Sequence, residues 1–202
     1  YNVSIYVSGV VIAALVGLVI IGGIKRIAAV ASRLVPTMAV LYVLGTMVII
    51  LTHYDGIIPS FQKIFTEAFS LKAGWGGLFA VIMWGVRRGL YSNEAGQGSA
   101  PIAHAAAKTK ESAREGAVAL MGPFIDTLIV CTMTGLAILS TGVIESTNLT
   151  GAQLTREAFR QGFSFAPEIG SFIVNCAVLL FAYTTMVAWS YYGDRSIEYL
   201  AG

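Results

Sequence analysis

Apolar residues come in long uncharged runs along this chain, separated by short charged stretches. Residues 3–23 and 34–54 carry no Asp, Glu, Lys or Arg. Residues 116–144 form a third apolar stretch interrupted by Asp126 alone, and residues 169–193 form a fourth with no charge. Each is as long as the roughly 20 apolar residues a helix needs to cross a bilayer core. A fifth run, residues 73–86, has only 14 residues and is too short to cross alone. What continues it is Arg87-Arg88-Gly89-Leu90-Tyr91-Ser92-Asn93-Glu94-Ala95-Gly96-Gln97-Gly98, rich in Gly and charge.

Backbone facing lipid cannot be irregular, because no water is there to satisfy its N–H and C=O groups. A segment that turns Gly-rich and polar halfway therefore lines a cavity, or is an ordinary helix that leaves the membrane at Arg87. We read the first, with the helical ladder interrupted within residues 82–91. The expected spans are then about 3–23, 34–54, 75–96 (broken), 117–144 and 169–193. Pro36 falls in the first turn of the second span, where a missing N–H costs little.

Between the spans the charges sort by sign. Lys25, Arg26 and Arg33 stand with no acidic residue among them, and Lys108, Lys110 and Arg114 follow the broken segment. Cytoplasmic loops collect Lys and Arg, so these ends are expected inside, with residues 55–72 and 145–168 outside. On that assignment nine basic residues lie inside or on the inner half of the broken segment, and four outside. Ile57, Ile58, Phe61, Ile64, Phe65, Ala68 and Phe69 recur at helical spacing, the pattern of an amphipathic helix at the interface or in an outer gate. Leu154, Ala158 and Phe159 suggest a second short external helix packed on the protein.

Composition agrees with the pattern. Hydrophobic residues make up 56% and charged residues 12%, about half the charged share usual in soluble proteins. The chain is an all-α integral membrane protein in this reading. A net charge of +2 makes no case for a nucleic-acid partner, and none is expected. Cys131 and Cys176 lie in apolar runs and read as small buried hydrophobes. No charged leader with a small-residue cleavage site stands before the first run, so no signal peptide is read. His53 and His104 have no partner at metal-ligand spacing, and no nucleophile–base pair or phosphate loop is evident.

The candidate chemistry sits in the broken segment. Gly85 and Gly89 let backbone approach a small ligand, and freed N–H groups at a helix start suit a carboxylate. Trp84 and Val86 wall a pocket of small size. Arg87 and Arg88 either meet a substrate carboxylate or pair with Glu94 or Asp126 in an inner gate; we read the pairs. Asp126, about ten residues into its span, is either a proton-coupling carboxylate or the fixed partner of a cation. Thr184 and Thr185, read alone, bond back to carbonyls one turn earlier.

Arg88-Gly89-Leu90-Tyr91-Ser92-Asn93-Glu94-Ala95-Gly96-Gln97-Gly98-Ser99-Ala100-Pro101 closely resembles the sixth-helix motif of the alanine/glycine:cation symporter family, the sodium:alanine symporters. Phe124-Ile125-Asp126-Thr127-Leu128-Ile129-Val130-Cys131-Thr132, Thr150-Gly151-Ala152-Gln153-Leu154-Thr155 and Phe181-Ala182-Tyr183-Thr184-Thr185-Met186-Val187-Ala188-Trp189-Ser190-Tyr191-Tyr192-Gly193 agree in order. The resemblance implies a LeuT-type inverted-repeat fold of the APC superfamily, of which this chain is an internal fragment covering about helices 4–8. It also implies a sodium site, with Phe181 giving a carbonyl and Thr184 and Thr185 hydroxyls, completed by a first helix outside the chain. The function implied is sodium-coupled symport of alanine and glycine in the cell membrane by alternating access, with Na+ as coupling ion. The rival is a proton-coupled amino-acid permease of the same fold. A membrane enzyme would need a nucleophile or metal cluster, and a channel a continuous polar stripe.

Overall fold

The computed structural model describes residues 4–68, 74–94 and 96–202, and they are helical almost throughout. The expected start of the first span at residue 3, Phe69 and Lys72, the residue-73 start of the short run, and Ala95 lie outside the described residues. Among the described residues three helices are long and apolar enough to cross a membrane: Gly23–Thr52 (α2), the continuous run Ser112–Ser140, and Pro167–Ala201 (α10). At 1.5 Å per residue the 30 residues of α2 reach roughly 45 Å, longer than a bilayer core of about 30 Å. Two of the five expected spans are shorter helices, Ile5–Ile20 (α1, 16 residues) and Gly74–Asn93 (α4, 20 residues).

The chain divides into two units. The first takes in residues up to Tyr42 together with Ile173–Gly202. Here α1 turns into α2 through Ile21 and Gly22, and Gly23 opens α2 at φ +64°, a conformation glycine adopts without steric cost. Val19, Ile27 and Val187 form a small core with Val16, Val30, Tyr183 and Tyr191 packed against it. The Tyr183 hydroxyl donates to the Leu15 carbonyl at 3.0 Å, tying α10 to α1.

Two expectations are corrected in this unit. Lys25, Arg26 and Arg33 do not form a loop; they stand on α2 itself, because Lys and Arg are good helix formers and end an apolar run without ending the helix. Pro36 is accordingly deep inside α2 and not in a first turn. It removes one ladder bond, and the Thr37 hydroxyl donates to the Arg33 carbonyl beside it at 2.8 Å. Similarly, α10 runs past residue 193 to Ala201, with Arg195 bonded to Asp194 at 2.9 Å and paired with Glu198 one turn on.

The second unit is Val43–Phe172. Its core lies where Ile57–Ala68 (α3), Thr132–Ser140 (α7), Val143–Ser146 (α8) and Gly151–Gly162 (α9) gather about the end of α2. Phe159, Ala158, Val143, Ala137, Ile49 and Thr46 are fully enclosed there. The apolar positions expected of α9 are the ones it buries, with Leu154 partly covered. Packing is close enough to demand glycine. A Cβ on Gly170 would lie 2.3 Å from the Phe159 carbonyl oxygen, and one on Gly162 2.8 Å from the Ile49 side chain. α3 buries Ser60, whose hydroxyl donates to the Gly56 carbonyl at 2.6 Å, and leaves Ile58 and Phe65 exposed. Lys63 of α3 pairs with Glu145 of α8, and this contact holds the Glu145 carboxyl below its ordinary range.

Candidate functional site

The α4 helix is unbroken from Gly74 to Asn93, so the interruption expected within residues 82–91 is not there. The N–H groups of Gly85, Val86 and Gly89 are spent on the helical ladder and are not offered to a carboxylate. A Cβ on Gly85 or Gly89 would meet nothing within 4 Å among the described residues. Trp84 and Val86 are exposed, on a helix that is apolar around most of its circumference. The guanidinium groups of Arg87 and Arg88 each lie 5.8 Å from the centre of the Trp84 ring. Gly costs a helix about 1 kcal/mol relative to Ala, less than the several kcal/mol of leaving a backbone group unsatisfied in hydrocarbon. The helix therefore survives its glycines.

The interruption comes a turn later, at residue 94 and residues 96–99. Glu94 takes φ +57°, the positive φ of a non-glycine residue, and Gly98 takes φ +78°. The Gln97 N–H reaches the Glu94 carbonyl at 3.1 Å to close a turn. The Ser99 hydroxyl donates to the Glu94 carboxylate at 3.0 Å. Gly96 lies against Leu90: a Cβ there would sit 1.9 Å from the end of the Leu90 side chain, which would have to turn away. The chain then re-enters a short helix, Ala100–His104 (α5), with Pro101 in its first turn, where the ring suits helical φ. Non-glycine residues at positive φ cost about 1–3 kcal/mol and cluster at functional sites.

Opposite the end of α4 the long span changes its winding. Ser112–Pro123 (α6) is followed by a π-helical segment, Phe124–Cys131, and then by α7. Pro123 cannot donate its ladder bond, and the wider winding begins at the next residue. Single π turns inside helices are frequent at functional sites. Here the segment presents Asp126 and Thr127 to α4. The Ser92 hydroxyl donates to the Asp126 carboxylate at 2.5 Å, and the Asn93 side-chain N–H donates to the Thr127 hydroxyl at 3.3 Å. The partner of Asp126 is thus a hydroxyl where an arginine was expected. The arginines stack on Trp84, and Glu94 takes Ser99.

Beside the interruption lies a cavity of about 650 Å3. Asn93, Pro101, Thr109, Lys110, Ser112 and Gly122 are among its lining residues. His104 and Glu115 also line it, with His104 Nδ1 2.7 Å from Glu115 Oε1.

In the first unit, α10 is continuous through Phe181, Thr184 and Thr185. The Thr184 hydroxyl donates to the Leu180 carbonyl at 2.9 Å and the Phe181 carbonyl at 3.1 Å, the back-bonding that membrane threonines favour. Its lone pairs remain acceptors. Thr185 is exposed on the same helix.

The family model of the sodium:alanine symporter family matches residues 1–202. The chain belongs to the sodium:alanine symporter family. It is 45% identical over 206 residues to a protein of Methanococcus maripaludis named sodium/alanine symporter AgcS, covering all of this chain and 45% of the relative. It is 44% identical over 207 residues to an uncharacterized transporter of Haemophilus influenzae, with the same coverage. A sodium/proton-dependent alanine carrier protein of Bacillus sp. strain PS3 is 36% identical over 215 residues, which take in 99% of this chain and 48% of the relative. The chain thus spans about half the length of the curated relatives it matches.

In this member of the sodium:alanine symporter family, sequence reasoning found Asp126 and Glu94 but not Ser92 and Ser99, which hold them, nor the Asn93–Thr127 bond beside them. It also set His104 aside as a loop residue. The available signal was Glu115, which with Glu111 is one of two acidic groups beside Lys108, Lys110 and Arg114. Family membership and spans of membrane length place the protein in a membrane.

Proposed function

We propose that the chain is part of a secondary transporter that carries alanine or glycine together with sodium by alternating access. Its agreement with the family over all 202 residues is the observation that carries this reading. We take the fold to be the LeuT-type inverted repeat, with helices outside this chain completing it, and the basic ends of α2 and α6 to be cytoplasmic. Trp84 and Val86 wall the substrate from α4, with Gly85 and Gly89 leaving room beside them. Polar contacts to the amino acid gather at the interruption, residue 94 and residues 96–99, and not at the N–H groups of residues 85–89. Ser92–Asp126 and Asn93–Thr127 fix that interruption against the span.

The coupling ion in this reading is Na+, held by the Phe181 carbonyl, Thr184, Thr185 and oxygens outside the chain. Neutral oxygen ligands suit a hard cation. The test is alanine uptake by the full-length protein in liposomes. A sodium gradient should drive uptake, and choline in its place should abolish it. Thr185→Val keeps the shape and deletes one ligand, so it should raise the sodium needed while saturating sodium restores alanine affinity. Removing a bond worth about 1–3 kcal/mol corresponds to roughly a 5- to 150-fold change in the sodium constant. Uptake driven equally by a proton gradient without sodium would favour a proton-coupled permease instead.

A further inference from the structure

We propose that His104 and Glu115 form a proton-binding site that latches α5 to α6 across the mouth of the cavity. The short helix α5 has five residues and is entered through a turn with two positive-φ residues, Glu94 and Gly98. It is left through residues 105–111, which hold only turns and bends. Such a piece has little ladder of its own, so side-chain bonds decide where it sits. The His104–Glu115 contact at 2.7 Å is a side-chain bond from α5 to α6. Its side chains are 35% and 24% accessible, covered enough that water does not fully screen the pair.

Imidazole is the side chain that changes charge between pH 5 and 8. With its proton added, His104 meets Glu115 through a charge-assisted bond. Without it, the neutral ring has one N–H to donate from either nitrogen, and the bond is weaker by about half. Proton binding therefore favours the state in which α5 lies on α6, and loss of the proton releases it.

The other charged groups around the pair are few. Lys110 lines the same cavity. Glu111 and Arg114 stand on α6 or at its start, and Lys108 is in the loop. The α4 end contributes Asn93, which is neutral. Glu94 is bonded to Ser99 and Asp126 to Ser92. Among the described residues named around the pair, His104 is the one imidazole. The site shares no residue with the proposed sodium ligands and needs no ion other than H+.

The experiment places a single cysteine at Ala119, a cavity-lining residue of α6, in the full-length protein with Cys131 and Cys176 replaced by Ala. Labelling by a small maleimide is followed from pH 5.5 to 8, each rate divided by that of a Lys108→Cys control to remove the thiol's own ionisation. The corrected rate should rise roughly five- to tenfold with pH, the ratio expected between a charge-assisted and a neutral bond. His104→Gln should give the fast rate at every pH, and Glu115→Gln, which changes the opposite partner, should flatten the profile too. A flat profile in the parent, or one that persists in His104→Gln, overturns the proposal. Labelling requires no transport, so a failure of sodium-coupled uptake leaves this result readable on its own.

Discussion

Removing the Ser92 hydroxyl tests whether the end of α4 is bolted to the π-helical segment. That hydroxyl donates to the Asp126 carboxylate at 2.5 Å, inside a span where water competes poorly. A bond to a charged group is worth about 1.5–3 kcal/mol net. Asp126 is only half-buried in the chain, so that figure is discounted for solvent screening to about 1–1.5 kcal/mol. At 1.4 kcal/mol per tenfold, Ser92→Ala should raise the local opening equilibrium roughly 5- to 13-fold. Hydrogen exchange of the full-length protein reads this directly. Peptides covering residues 90–99 should exchange faster by that factor, while those covering α9 stay unchanged. Ser92→Thr, which keeps the hydroxyl, should exchange like the parent. Equal exchange in Ser92→Ala and the parent would refute the bolt.

Three further outcomes follow from particular contacts. Gly170→Ala places a carbon 2.3 Å from the Phe159 carbonyl oxygen, so backbone must shift; a loss of about 1–3 kcal/mol is expected, read as a lower melting temperature. An unchanged melting temperature would contradict that packing. The Glu157 carboxyl is held down to about 2 by hydrogen bonds from Arg160 and Gln161, below its ordinary 4.5. A depressed acid stabilises above its unfolded value and loses that effect as pH falls through its folded value. The stability difference between the parent and Glu157→Gln should therefore be full above about pH 4.5 and shrink towards pH 2; growth on acidification would contradict the pairing. Single cysteines at Gln62 and Gln153 should react with an impermeant thiol reagent on whole cells and one at Ser32 should not, with the reverse overturning the orientation.

Much of the helical layout was legible because lipid leaves few choices. Long uncharged runs gave α2, the Ser112–Ser140 span and α10, and helical spacing gave the buried Ala158 and Phe159 of α9. Helix ends were less legible. Charge ended the apolar run at Arg33 but did not end α2, since Lys25, Arg26 and Arg33 are themselves good helix formers. Gly85 and Gly89 suggested a break, yet the need to satisfy backbone groups in lipid outweighs glycine's propensity. The chain breaks where Glu94 takes positive φ and Gly96 lies against the Leu90 side chain, a local contact that spacing does not encode. The π winding after Pro123 was equally hidden, and with it the pairing of Ser92 with Asp126, 34 residues apart. His104 and Glu115 are 11 residues apart across a loop, beyond the reach of any helical periodicity.

Sodium and alanine should bind the same state of the full-length protein, and their mutual effect is the most direct measure of symport. Coupling is reciprocal, so the factor by which sodium tightens alanine must equal the factor by which alanine tightens sodium. Calorimetric titration of the purified protein in both orders should give equal factors above about fivefold, the lower range of typical coupling energies. Alanine affinity that is the same in sodium and in choline would contradict the account.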